Sequence, residues 1–137
     1  MKRTLAALTT LAAAVGGVLV TAPAAGAADG YCTTTTAVSR GDYGVLIPAT
    51  SSGSTSCVMS RGFTGGQVEA LQFALRICHG LDTGGIDGVY GARTEAAVRA
   101  LQSAIGLTAD GIYGANTRNV LQWRWLAYPV GAKCERL

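Results

Sequence analysis

The stretch Asp87-Gly88-Val89-Tyr90-Gly91-Ala92-Arg93-Thr94 decides the fold, because it returns 23 positions later as Asp110-Gly111-Ile112-Tyr113-Gly114-Ala115-Asn116-Thr117. Six of the eight positions are identical and a seventh exchanges Val89 for Ile112. A second match lies upstream of each copy. Ala74-Leu75, four residues and Gly80-Leu81 correspond to Ala100-Leu101, four residues and Gly106-Leu107. The repeating unit is therefore a helix end, a Gly-Leu stop, a linker and an Asp-Gly-aliphatic-Tyr-Gly start of the next helix. A unit this short cannot bury a face alone, so two units must pack on one another.

Working outward, Val68, Leu71, Leu75 and Cys78 recur at spacings of three and four, which predicts a helix over 67–79. Gly80 is placed to adopt the left-handed conformation that closes it, with Leu81 as the apolar contact of the stop. A second helix is expected over 92–105, with Ala97, Val98, Leu101 and Ile105 inward, and a third over 115–128, ended by Pro129. Gly91 and Gly114 fall at the N-cap positions. Thr94 and Thr117 sit where a hydroxyl bonds the local backbone. Tyr90 and Tyr113 are expected to lean onto the core. Before Gly66 the chain is not helical. The β-branched run 33–38 and the run 43–47, stopped by Pro48, read as a hairpin around Ser39-Arg40-Gly41-Asp42. Arg40-Gly41-Asp42 suits a turn, and three residues carry little information as an adhesion motif.

The segment 1–27 reads as a secretory signal peptide: Lys2 and Arg3, an apolar run from Leu5 to Val20, and the small residues Ala25-Gly26-Ala27. No second apolar run of spanning length follows, so no membrane association is expected after cleavage. Without Lys2 and Arg3, 9 of the 11 basic residues remain against 8 acidic ones, and no basic face suited to nucleic acid is visible. The remainder divides into an extended segment (28–61), the repeat region (62–128) and a tail (129–137) carrying Cys134; it is expected to be a monomer. Cys32, Cys57, Cys78 and Cys134 are an even set in a small secreted chain, which reads as two disulfides. Cys78 ends the first helix, and the residues after Cys57 can span that helix when extended. This favours Cys57 with Cys78 and Cys32 with Cys134; Cys32–Cys57 with Cys78–Cys134 stays open.

Catalytic patterns are poorly served. Placing either Asp-Gly turn in a calcium loop leaves the other ligand positions without carboxylates. His79 is the single histidine, which does not make a zinc site of about three ligands. There is no Gly-x-Ser-x-Gly motif, and the cysteines are expected to be oxidised. Glu69, Asp82, Asp87, Glu95 and Asp110 could supply a pair of carboxylates, but turns and solvated helix faces account for them. The expectation is no catalysis, no metal and no cofactor.

The series Val68-x-x-Leu71-Gln72-x-x-Leu75, both Asp-Gly-x-Tyr-Gly-x-x-Thr runs, Ala97-Val98-x-x-Leu101-Gln102 and Gly106-Leu107 resembles the peptidoglycan-binding-like domain, a three-helix module often joined to bacterial cell-wall hydrolases. Arg118 stands where that family usually has Trp, with Trp123 and Trp125 further on. The Ala- and Gly-rich leader and cysteine-bearing extension resemble small secreted proteins of actinomycetes. The resemblance implies a mainly α, three-helix bundle with a short N-terminal β segment, and wall binding without chemistry. Peptidoglycan would be the partner and the protein would be secreted or wall-associated. Candidate ligand contacts are Tyr90 and Tyr113 as aromatic faces, Arg93 at a helix start as an anion site, and Asn116 as a polar contact. Two other functions stay open: an interaction or inhibitor protein acting on a secreted wall enzyme, and a weak wall hydrolase.

Overall fold

A computed structural model describes residues 28–137. The expected signal peptide, 1–27, lies outside the described residues. The element order is β1 (Thr34–Arg40), β2 (Tyr43–Ala49), α1 (Gly66–His79), α2 (Ala92–Ala104), α3 (Ala115–Val120), β3 (Trp123–Ala127) and β4 (Gly131–Glu135). The four strands form one antiparallel sheet in the order β1-β2-β3-β4. The protein is therefore α+β, and the mainly α three-helix bundle expected from the sequence is corrected: four of the seven elements are strands of one sheet.

The third helix is where the expectation fails. It stops at Val120, and the chain then alternates. Trp123, Trp125 and Ala127 are buried while Leu126 and Tyr128 are exposed, a period of two rather than 3.6. Tyr128, expected on the helical stripe, is 99% exposed. Two indoles in a row of alternating positions fit a pleated surface better than a helix. The Trp125 N–H donates to the Glu135 carbonyl at 3.1 Å, so burying the ring leaves no orphan donor. β1 and β2 lie close to expectation, although β2 continues through Pro48, whereas β4 forms in the segment expected to be a tail. Pro48 faces Thr35 of β1, while β3 pairs with β2 at Gly44, so the missing N–H falls where β2 has no second neighbour.

The first two helices are as the sequence reads. Gly80 is left-handed, with φ 65°, and the Leu81 N–H reaches back to the Leu75 carbonyl at 3.0 Å. At the end of α2 Gly106 is likewise left-handed, with φ 75°, and the Leu107 N–H reaches back one residue less far, to the Gln102 carbonyl at 2.9 Å. Val68, Leu71 and Leu75 of α1, Val98 and Leu101 of α2, Tyr90, Tyr113, Ile47 and the two tryptophans build one core.

The disulfides are Cys32–Cys57 and Cys78–Cys134, so the favoured pairing is overturned in favour of the open one. The chain after Cys57 does not run along α1. Val58 bridges Tyr31, Met59 bridges Tyr113 and Thr64 bridges Val89. The first of these bridges sets Cys57 beside Cys32. Cys78, at the end of α1, instead meets the strand that the sequence reading placed in a tail.

Candidate functional site

Each Asp-Gly turn is held by a buried glutamine from the preceding helix. Gln72 is wholly buried. Its Nε2 donates to Asp87 Oδ1 at 2.8 Å, to the Val89 carbonyl at 3.0 Å and to Thr94 Oγ1 at 3.0 Å. Its Oε1 accepts from the N–H groups of Asp87 and Gly88. Gln102 repeats the pattern with Asp110 Oδ1, the Ile112 carbonyl, Thr117 Oγ1 and the Gly111 N–H. A primary amide can do this because its two N–H donors and its acceptor oxygen lie in one plane, with one N–H shared between two of the three acceptors. Asp87 and Asp110 each also accept from the N–H two residues on. The hydrogen bond from Gln72, followed by that from Val89, holds the Asp87 carboxyl below its usual range. Gly88 and Gly111 have φ of 69° and 72°, and a Cβ at Gly88 would lie 3.2 Å from the Gly65 carbonyl. The sequence shows these glutamines as the repeated Leu-Gln pair.

The four residues expected to contact a ligand do not converge. Tyr90 and Tyr113 are wholly buried and present no ring face to solvent, so as exposed platforms they are corrected. The Tyr90 hydroxyl donates to the Gly111 carbonyl at 2.8 Å, tying the first repeat to the second turn. The Tyr113 hydroxyl is buried with no partner among the described residues. The asymmetry follows from position, since no third Asp-Gly turn succeeds Tyr113. Burial pushes both phenols up. Arg93 is exposed at the start of α2, but Asp82 lies 3.6 Å away, so an internal carboxylate already stands where an external anion was expected. Asn116 is exposed and lines a groove of about 510 Å³ together with Leu107, Thr108, Asp110 and Ile112.

A second groove, of about 530 Å³, lies between α1 and the sheet. Its walls include Ala37, Leu46 and Leu126 from the strands, Phe73 from α1, and Ile86. Leu46 and Leu126 are 59% and 52% exposed. Its two charged side chains are Glu69 of α1 and Arg124 of β3, and neither forms an ion pair among the described residues. The sequence reading missed this groove because it requires β3. The signal was the Trp123-Arg124-Trp125 alternation.

His79 and Glu95 are engaged in structure. His79 Nε2 accepts the Gln122 N–H at 2.9 Å, which places the ring proton on Nδ1. Burial, with Arg136 nearby, lowers its pKa from the ordinary 6.5. Glu95 binds Arg61 at 2.8 Å and Arg99 at 3.1 Å. Among the described residues no three His, Cys, Asp or Glu side chains gather as a metal site, and no helix is long and apolar enough to cross a membrane.

Residues 64–121 match the family described as "Putative peptidoglycan binding domain". The solved SleB N-terminal domain is 41% identical, with 46% of this chain and 85% of that one covered and a TM-score of 0.43. Residues 64–121 belong to the peptidoglycan-binding domain family. The N-acetylmuramoyl-L-alanine amidase CwlL of Bacillus licheniformis is 45% identical over 73 residues, which are 52% of this chain and 20% of the amidase. The zinc D-Ala-D-Ala carboxypeptidase of Streptomyces albus G is 39% identical over 112 residues, 80% of this chain and 41% of that enzyme. The chain thus spans a fifth to two-fifths of the length of these relatives. The carboxypeptidase match is longer than the stretch 64–121, so it takes in residues flanking the peptidoglycan-binding domain.

Proposed function

We propose that the protein is a secreted, non-catalytic module that attaches to peptidoglycan at the outside of the cell. One observation carries the non-catalytic part: the histidine, the four cysteines and the repeat aspartates are all committed to the fold, as an acceptor, two disulfides and two turn clasps. A group spent on structure in this way is a poor nucleophile or base. Family membership supports wall attachment, and the Asn116-lined groove offers polar side chains and backbone to a hydroxylated ligand.

The test is co-sedimentation of the oxidised protein with protein-free sacculi across a range of salt, with release of amines and reducing ends followed in the same tubes. Saturable retention that survives moderate salt, without release, is expected. Release by the purified protein would make it a hydrolase and overturn the proposal. Asn116→Ala is expected to weaken retention, and Arg93→Ala to leave it close to wild type because Asp82 already answers that charge. A second reading, binding to a secreted wall enzyme, draws on the relatives in which this domain is a minor part of an enzyme. Failure to sediment, with capture of such an enzyme, would select it.

A further inference from the structure

The groove between α1 and the sheet differs in chemistry from the Asn116 groove. Its exposed lining is almost wholly aliphatic, with one aromatic ring, Phe73, and few hydrogen-bonding side chains. Sugars are held by stacked rings and convergent polar groups, and this surface offers neither in number. It does offer two ionic side chains on opposite walls. Arg124 projects from β3 and Glu69 from α1. A guanidinium on an apolar surface with no carboxylate to answer it favours an incoming carboxylate, which it can grip through two parallel hydrogen bonds. Glu69 asks for the opposite charge.

We infer that this groove binds the peptide part of the wall: a short peptide of alanine-sized side chains with a free terminal carboxylate and a side-chain ammonium. The carboxylate meets Arg124, the ammonium meets Glu69, and the methyl groups lie against Leu46, Phe73 and Leu126. Charge complementarity selects this occupant. A purely apolar partner would bury both charges without answering them, at a cost that its contacts would have to offset. The inference rests on the wall-binding proposal and names the part of the wall that is recognised.

The test titrates the oxidised protein, by NMR chemical shift or calorimetry, with the synthetic pentapeptide L-Ala-γ-D-Glu-L-Lys-D-Ala-D-Ala and with its C-terminal amide. The acid is expected to bind at least fivefold more tightly than the amide. Arg124→Gln is expected to abolish that preference, and Leu46→Glu to weaken binding of the acid at least tenfold. Both positions are solvent-accessible, and unchanged circular dichroism would show the variants folded. If wild type sediments with sacculi but binds neither peptide, or binds both equally, the inference is overturned while the wall-binding proposal stands. If wild type fails to sediment as well, the proposal itself fails. A wild-type dimer that Leu46→Glu splits, with no peptide bound, would assign the groove to a second copy and likewise overturn the inference.

Discussion

The side-chain amide of Gln72 donates to the Asp87 carboxylate at 2.8 Å across 15 residues of sequence, and this contact sets the geometry of the repeat. A helix residue fixes the turn that starts the next helix, so each unit is specified by the one before it. Gln102 does the same for Asp110 at 2.9 Å. The arrangement uses the amide's donors and acceptor together, inside a core where an unmade hydrogen bond is costly.

Replacing Gln72 by Glu keeps the shape and reverses the chemistry. The donor facing Asp87, the Val89 carbonyl and Thr94 becomes a second carboxylate oxygen, buried and beside a like charge. Gln72→Glu is expected to cost about 3 kcal/mol at neutral pH, measured by urea denaturation. Gln72→Ala should also let the Asp87 pKa return toward the ordinary carboxylate range, as read by NMR titration. Asp87 titrates lower folded than unfolded, so its contribution is present above the unfolded pKa and is lost as pH falls through the folded one. An unmoved Asp87 pKa in Gln72→Ala would refute the clasp as its cause.

The two buried tyrosines give opposite expectations for one substitution. Tyr90→Phe removes a donor and strands the Gly111 carbonyl, at a cost of about 1 kcal/mol. Tyr113→Phe removes a hydroxyl that has no partner among the described residues and should be neutral or stabilising by up to about 1 kcal/mol. Paired denaturation curves decide the matter. Equal losses at the two sites would mean that Tyr113 has a partner after all.

Much of this molecule is legible in the sequence, and what was missed has a common cause. The helices α1 and α2, their Gly-Leu stops and the Asp-Gly turns follow from local patterns that neighbouring residues satisfy. The sequence allows Tyr90 and Tyr113 two roles, core residue and ligand platform, and the first excludes the second because each ring is closed over by the next repeat or by Trp123. The segment after Val120 offered two periodicities. Val120, Leu121, Trp125 and Tyr128 match a helix, whereas Trp123, Trp125 and Ala127 match a strand. Strand pairing settles the choice, with β4 along the whole of β3 and with β2, more than 70 residues earlier, at Gly44 and Leu126. The groove beside α1 needs β3 in place on the sheet, and the Cys32–Cys57 pairing needs the bridge of Tyr31 to Val58, so neither follows from local pattern alone.

His79 makes stability depend on pH near neutrality. Its pKa is lowered in the fold, mainly by burial and then by Arg136, and its Nε2 must stay unprotonated to accept from Gln122. The contribution is therefore complete above the unfolded value of about 6.5 and is lost as pH falls below it through the folded value. The melting temperature should fall between pH 7.5 and pH 5, before most carboxylates titrate. In His79→Gln, whose side-chain oxygen can accept the same N–H, the drop over that interval should be smaller. An equal drop in both proteins would exclude His79 as its source.

The two disulfides should separate stability from ligand binding. Cys32–Cys57 closes a sequence separation of 25 residues and Cys78–Cys134 one of 56. Chain entropy alone predicts losses of roughly 3.5 and 4 kcal/mol on replacing each pair with serine. Stability therefore hardly distinguishes them, but position does. Cys78 ends α1 and Cys134 lies in β4, which pairs with the strand carrying Arg124 and Leu126. This bridge ties together the two walls of the apolar groove, whereas Cys32–Cys57 anchors the segment before it. At a temperature where both variants remain folded, Cys78→Ser with Cys134→Ser should weaken pentapeptide binding severalfold. Cys32→Ser with Cys57→Ser should leave it near wild type. Equal losses, or a loss confined to the second pair, would mean that the walls are held by packing alone and that the bridge plays no part in shaping the groove.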